Sequence, residues 1–232
     1  MRKLVIIPTY NERDNISELI PAVRDLNESP DILVVDDNSP DGTAKAVERF
    51  SANDPQVHLL SRPGKSGLGK AYLAGFKWGL EQGYDVLVEM DADFSHRPED
   101  LAMILREIEQ KDFVVGSRWV PGGSTVNWGA GRKLISQGGS FYSRCILGYP
   151  IRDWTGGFNA WKAGTLRKMD LPTVKSEGYS FQIELKYRAL RAGCEGKEVP
   201  ITFVDRRVGQ SKMSSRIVLE ALYRVWLIRM GQ

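Results

Sequence analysis

The residues best placed to do chemistry in this sequence are acids that close apolar runs. Val86-Leu-Val-Glu-Met90 leads into Asp91 and then Asp93, while Ile32-Leu-Val-Val35 leads into Asp36 and Asp37. Short apolar runs of this kind read as buried strands, and in open α/β sheets ligands bind beyond the carboxyl ends of the strands. Carboxylates converging there suit a hard ion, Mg²⁺ or Mn²⁺, with phosphate oxygens completing its shell. Taken alone, Asp91-Ala-Asp93 is equally a solvated turn. The strand before it and the second acidic strand end favour the metal.

Basic residues arrive later, from glycine-flanked loops: Arg118, Arg132, Arg206, Arg207 and Lys212. Guanidinium groups grip phosphate bidentately. Acids first and bases second therefore suit two substrates, one phosphate held through a metal and the other by arginines. Each arginine taken singly also fits a surface ion pair. The stretch Arg62-Pro-Gly-Lys-Ser-Gly-Leu-Gly-Lys70 lacks both the Walker A spacing and the dinucleotide fingerprint. Its lysines and the helix after it suit an anion, and a turn that merely needs its glycines suits it as well. Of the histidines, only His58 and His96 occur. His58 lies in an apolar strand and reads as structural; His96 is close enough to Asp91-Ala-Asp93 to bond to that loop or to shape it. A nucleophile that is already an anion, such as a phosphate monoester, needs no protein base.

The elements that must position these groups alternate. Strands are expected at Leu4–Ile7, Ile32–Val35, Val57–Leu60, Asp85–Met90 and Phe113–Val115. Helices are expected between them: one carrying Ile16, Leu19, Ile20, Val23 and Leu26 behind an Asn15/Glu18 capping box, then Ala44–Phe50, Ala71–Gln82 and one opened by Pro98 and Glu99. This order argues a mostly parallel, doubly wound sheet accounted for by about the first 116 residues. The second half is less regular. It reads as a glycine-rich loop at Pro121–Gly131, a helix from Arg132 to Leu147, the polar-aromatic turn Arg152–Asn159, and a strand beginning at Ala160. A helix over Glu177–Ala192 and a last strand over Val199–Val204 follow. At the end, Arg216, Glu220 and Arg224 form one narrow stripe, and Ile217, Leu222, Val225, Trp226 and Ile228 belong to a wide apolar face. Such a helix packs on the core, on a partner, or on a bilayer surface.

At 232 residues the chain can hold one large core, and 26% charged residues are too few, beside 42% apolar ones, for global disorder. A net charge of +3, with no basic run interleaved with aromatics, gives no reason to expect nucleic acid. Cys145 and Cys194 stand far apart with no histidine or cysteine nearby, which argues against zinc and against a disulfide framework; both read as core or near-core thiols. No apolar stretch reaches transmembrane length.

Five segments together resemble glycosyltransferase family 2: Ile7-Pro-Thr-Tyr-Asn-Glu12, Val35-Asp-Asp-Asn-Ser-Pro-Asp-Gly-Thr43, Met90-Asp-Ala-Asp-Phe-Ser-His96, Gly116-Ser-Arg118 and Asp153-Trp-Thr-Gly-Gly-Phe158. More narrowly, residues 3 to 215 are similar to the dolichol-phosphate (polyprenol-phosphate) mannose synthases. The resemblance implies a GT-A fold, a Rossmann-like and mostly parallel sheet flanked by helices, over residues 1–213; the amphipathic helix read at residues 214–232 is then the candidate for membrane association. It implies metal-dependent, inverting transfer of mannose from GDP-mannose to dolichyl or another polyprenyl phosphate. Related synthases that transfer glucose or N-acetylglucosamine share much of the pattern, so another donor sugar is the nearest rival. A nucleotidyltransferase and a non-catalytic nucleotide-sugar binding module are more distant ones.

Carried over by position, Pro8, Thr9, Tyr10 and Glu12 border the nucleoside, and Asp37 or Asp36 lies near its base or ribose. Asp91 stands beside metal and sugar, and Asp93 ligates the Mg²⁺ or Mn²⁺. Two residues on, where the family has glutamine or serine, this chain has Ser95. Arg118 and Arg132 receive the acceptor phosphate, and Arg206 and Lys212 cover the donor phosphates. The expected place of work is the cytoplasmic face of a membrane, through peripheral contact or a membrane-bound subunit.

Overall fold

The computed structural model describes residues 1–205 and 215–231. Strand and helix alternate from the start. β1 (Lys3–Thr9) leads into α1 (Arg13–Arg24), β2 (Asp31–Asp36) into α2 (Thr43–Ser51), and β3 (Val57–Ser61) into α3 (Leu68–Glu81). β4 (Val86–Glu89) then leads into α4 (Pro98–Glu107) and β5 (Phe113–Ser117). The second half holds β6 (Ser124–Val126), α5 (Ala130–Leu147), β7 (Asn159–Lys162), α6 (Ala163–Lys168) and α7 (Gly178–Arg191). β8 (Gly196–Pro200), β9 (Thr202–Val204) and α8 (Ser215–Met230) complete it.

Among the described residues, seven strands form one sheet in the order β3-β2-β1-β4-β7-β5-β8. Only β7 runs antiparallel to its neighbours, β4 and β5. Leu4–Ile7, Ile32–Val35 and Val86–Val88 are wholly buried, as strands covered on both faces must be. Alternate residues divide between the two faces. Val5, Ile7, Val34 and Val88 pack with Ile16, Ile20, Leu101 and Ile104 on one side. Leu4, Ile6, Leu33 and Leu87 pack with Tyr72, Phe76 and Trp161 on the other. On that second side Gly75 and Gly79 let α3 lie against the sheet, because an added Cβ would stand 2.5 Å from Ile6 and 2.5 Å from Leu87 respectively.

The first 116 residues do not complete the sheet: β7 and β8 come from the second half, and β7 sits inside it. The expected last strand is two. Pro200 ends β8, which pairs with β5, while β9 joins β6 in a separate parallel pair that also gives the expected Pro121–Gly131 loop a strand. α1 starts at Arg13, behind Glu12, and the expected Asn15/Glu18 box does not cap it. Asn15 Nδ2 instead donates to Glu12 Oε2 at 2.7 Å. α3 begins earlier than expected, at Leu68. Cys194 is buried but Cys145 is exposed, against the reading of both as core thiols.

α8 settles part of its own ambiguity. Val225 and Ile228 are buried against Leu147, Ile151, Trp154, Ile183 and Tyr187. Trp226 Nε1 donates to Tyr142 OH at 2.9 Å and Arg229 Nη1 to the Ile146 carbonyl at 2.6 Å. The opposite side exposes Tyr223, Trp226 and Met230, and α5 beside it exposes Leu134 and Phe141. Ile217 and Leu222 lie outside the residues whose side chains are described. Among the described residues no helix is long and apolar enough to cross a membrane.

Candidate active site

The carboxyl ends of β1, β2 and β4 open onto a cleft of about 460 Å³. Pro8, Thr9, Tyr10, Glu12 and Asp37 form one end of it, with Lys65 and Gly67 from the turn before α3. Asp91, Asp93 and His96 line its middle; Arg118, Trp128, Arg132, Thr155, Gln182 and Phe203 line the far end. The sequence-predicted groups from six chain segments therefore meet in one place. Asp36 is the exception among those described. Its carboxylate is buried and accepts from Thr9 Oγ1 (2.9 Å), Ser39 Oγ (2.6 Å) and the Ser39 amide (2.9 Å). It braces the loop that carries Asp37, and Asp37 is the one that lines the cleft. Arg62 Nη1 donates to Asp37 Oδ1 at 2.6 Å and the Ser66 amide to Oδ2 at 3.4 Å. Arg206, Arg207 and Lys212 lie outside the described residues.

At the middle of the cleft the chain leaves β4 and turns sharply. Phe94 takes a left-handed φ of +60°, a conformation a bulky residue holds only when its surroundings impose it. Tyr72 OH donates to Asp91 Oδ1 at 3.0 Å, and the Ser95 amide donates to Asp93 Oδ1 at 3.1 Å. Burial, reinforced by the Asp91 charge, raises the Tyr72 phenol well above its ordinary value, so it stays a donor. The Asp91 amide donates to His96 Nδ1 at 3.0 Å, which places the ring proton on Nε2. Burial lowers the His96 pKa against the pull of Asp91 and Asp93, and the neutral ring stacks on Phe158 at 4.5 Å. His96 thus shapes the loop by bonding to it. His58 is structural, its Nε2 3.2 Å from Tyr84 OH.

Two carboxylates at a strand end suit a divalent ion that takes one or two protein oxygens and leaves the rest of its shell to phosphate and water. The buried Ser95 Oγ, two residues past Asp93, has no hydrogen-bond partner among the described residues, and a further oxygen there fits the same hard ion. Among the described residues no three acids, histidines or cysteines gather closely enough to hold a metal by themselves. The donor set therefore fits an ion shared with a ligand.

The far end is built differently. Arg118 and Asp153 are both buried and paired bidentately, Nε to Oδ2 at 2.7 Å and Nη2 to Oδ1 at 2.6 Å. The Arg118 amide adds a third bond to Oδ2 at 3.0 Å, and Nη2 also reaches Thr155 Oγ1 at 2.9 Å. Burial pushes the Asp153 carboxyl up, but the Arg118 charge and its hydrogen bonds outweigh that and hold it below the usual carboxylate range. Arg132 is pinned by Asp205 (2.7 Å) and by the Trp128 ring, whose centroid is 3.9 Å from its guanidinium carbon.

Behind this end lies a buried polar layer. Trp161 Nε1 donates to Glu89 Oε1 at 2.7 Å, and Gln182 Nε2 donates to Glu89 Oε2. Lys186 Nζ donates to the carbonyls of Trp154 (3.1 Å) and Gly156 (2.6 Å). Burial pushes the Glu89 carboxyl up to about 7 and the Lys186 ammonium down to about 8. Sequence reading missed Tyr72, Trp128, Gln182 and Phe203 as lining or bracing residues; Lys65 belongs to the loop whose lysines it read as suited to an anion. Gln182 and Lys186 did carry a signal, as polar residues one turn apart in a helix whose other positions are mostly apolar.

Residues 4–170 match glycosyl transferase family 2. The chain is 52% identical, over 97% of its length and 93% of the relative's, to undecaprenyl-phosphate mannosyltransferase of Micrococcus luteus. It is 49% identical to polyprenol monophosphomannose synthase of Mycolicibacterium smegmatis, over 98% of this chain and 88% of that one. Among solved structures it is similar to glucosyl-3-phosphoglycerate synthase from Mycobacterium tuberculosis in complex with Mn²⁺, uridine-diphosphate-glucose and phosphoglyceric acid. The TM-score is 0.70 at 16% identity, over 99% of this chain and 80% of that one. At that identity the likeness establishes the GT-A fold alone. With its family match covering most of the length and two relatives near half identity, this chain belongs to glycosyl transferase family 2.

Proposed function

We propose that this chain transfers mannose from GDP-mannose to a polyprenyl monophosphate, with inversion at the anomeric carbon. The observation that carries the reading is the polarity of one cleft, with carboxylates at one end and two fixed arginines at the other. Two relatives named for mannosyl transfer to, or mannose synthesis on, a polyprenol phosphate support it. GDP-mannose lies with its nucleoside along Pro8, Thr9, Tyr10 and Glu12, near Asp37. Asp91 and Asp93 hold a Mg²⁺ or Mn²⁺ ion, which when bound offsets charge on the departing diphosphate. Arg206 and Lys212 serve the same diphosphate.

Arg118 and Arg132 bind the acceptor phosphate on the opposite side of the sugar. Because Asp153 and Asp205 already fix them, little entropy remains to be lost when the lipid phosphate arrives. Its oxygen is anionic and attacks without a protein base, which agrees with a His96 whose Nδ1 is occupied by the Asp91 amide. The sugar passes in one displacement, with no glycosylated enzyme. The acceptor's isoprenoid places the reaction at a membrane surface, on its cytoplasmic face. Tyr223, Trp226 and Met230 of α8, with Leu134 and Phe141 of α5, are the apolar side chains available to meet it.

The test is a panel of nucleotide sugars offered with polyprenyl phosphate and Mg²⁺ or Mn²⁺, with the products resolved. Polyprenyl phosphate mannose of inverted configuration and GDP is the expected pair. Turnover with another nucleotide sugar in its place reassigns the donor, and release of pyrophosphate makes the chain a nucleotidyltransferase. Donor binding without transfer to any lipid makes it a binding module.

A further inference from the structure

Lys186 is wholly buried in α7, is not among the residues that line the cleft, and donates to two backbone carbonyls. Those carbonyls, of Trp154 and Gly156, flank Thr155, the residue whose hydroxyl accepts from Arg118 Nη2. The same turn folds back on Asp153. The Gly156 amide donates to Asp153 Oδ1 at 2.9 Å, and an added Cβ on Gly156 would lie 3.2 Å from that carboxylate. Asp153 in turn takes Nε and Nη2 of Arg118. Among the described residues Nη1 is the one guanidinium nitrogen with no acceptor, while the Trp119, Trp128 and Phe203 ring centroids lie 5.4, 5.3 and 5.6 Å from the guanidinium carbon.

We propose that Lys186 is a positioning residue for the acceptor phosphate, holding the Asp153–Gly157 turn in the shape that presents Arg118 to the cleft. This rests on the reading that Arg118 receives that phosphate. A buried ammonium is expensive to desolvate, and an apolar side chain of similar volume is often the more stable choice. Its place here is explained by the two carbonyls it gathers, which no apolar side chain could bond. One turn earlier on the same helix, Gln182 grips Glu89, two residues before Asp91. α7 thereby braces both the middle and the arginine end of the cleft from behind, and Lys186 is its brace for the arginine end.

The experiment compares Lys186→Met with Leu185→Ala, a neighbour on α7 that is equally buried but belongs to the apolar cluster on the sheet. Calorimetry gives the affinity for a short, water-soluble polyprenyl monophosphate without any donor. Initial rates give KM for each substrate, and thermal unfolding gives Tm. For Lys186→Met the expected result is a loss of about tenfold in lipid-phosphate affinity, with KM for the nucleotide sugar changed by less than about twofold. Leu185→Ala is expected to lower Tm and leave both affinities alone. Should Lys186→Met not fold, Lys186→Gln keeps N–H donors for the carbonyls and is expected to weaken the same affinity by about threefold. Lipid-phosphate affinity that stays at the wild-type value in whichever variant folds, or equal weakening of both substrates, overturns the proposal. Wild-type protein that binds no polyprenyl phosphate overturns instead the acceptor reading beneath it.

Discussion

The two ends of the cleft aim charged groups by different mixtures of partners. At the carboxylate end, hydroxyls of Thr9 and Ser39 turn Asp36 inward, Tyr72 and the Ser95 amide bond Asp91 and Asp93, and Arg62 pairs with Asp37 at 2.6 Å. Ser39 and Ser95 lie two or three residues from the acids they bond, and strand ends set their place. At the guanidinium end, Arg118 meets Asp153 and Arg132 meets Asp205, across 35 and 73 residues. A neutral donor orients a carboxylate without cancelling its charge. A charge partner holds a guanidinium more firmly but takes up much of its hydrogen-bonding capacity, so the far end depends on exact geometry for what is left.

The sharpest way to break this contrast is Asp93→Ala. It is expected to lower turnover by about 10³-fold, roughly 4 kcal/mol, and to abolish the dependence of donor affinity on divalent ion. Initial rates across a Mg²⁺ and Mn²⁺ series check it; unchanged turnover and affinity would mean the carboxylate end holds no ion.

Asp153→Asn attacks the other end through stability. Leaving Arg118 buried without its anion is expected to cost about 3 kcal/mol of unfolding free energy near neutral pH. The folded Asp153 pKa lies below its ordinary value. Its stabilisation is therefore complete above the unfolded value of about 3.9 and is lost as pH falls through the folded one. Urea titrations of both proteins should show their difference shrinking in that acid range and constant above it.

Arg118→Lys sharpens the comparison by keeping the charge and deleting the fork. A loss of about tenfold to thirtyfold in kcat/KM for the lipid phosphate is expected, near 2 kcal/mol, with KM for the nucleotide sugar unmoved. Equal losses for both substrates would dissolve the division into two ends. The smallest effect is expected from Leu134→Ser with Phe141→Ser, exposed at 72% and 68%. Each should weaken vesicle binding by about 1 kcal/mol, while turnover on a water-soluble acceptor stays level. Vesicle co-sedimentation beside a soluble assay separates the two.

The same contrast decides what could be read from the sequence. β1 to β5 announce themselves because strands buried on both faces are continuous apolar runs, and the acids that end them are conspicuous for that reason. Asp37, Asp91 and Asp93 lie in the cleft as expected, and Asp36 differs only because two neighbouring hydroxyls turn it inward. The arginines were visible as residues, but not their partners: nothing local ties Asp153 to Arg118 or Asp205 to Arg132. Lys186 and Gln182 stand one turn apart in a largely apolar helix, a signal that they are buried and polar, but their partners come from β4 and from the Trp154–Gly157 turn, far away in sequence. β7 itself is four residues long and has no clean alternation, so its place inside the sheet was hidden.

That reversed strand governs the order in which the protein can be assembled. Until residues 159–162 have left the ribosome, β4 has β1 on one edge and nothing on the other. A nascent chain therefore carries an open, apolar strand edge next to the acids of its future reaction centre, the kind of edge that recruits other chains. Closing it depends on contacts about 70 residues apart in sequence, which are slow to find. Substitutions that weaken β7 should accordingly appear first as poor yield and aggregation during synthesis, before any defect in catalysis can be measured.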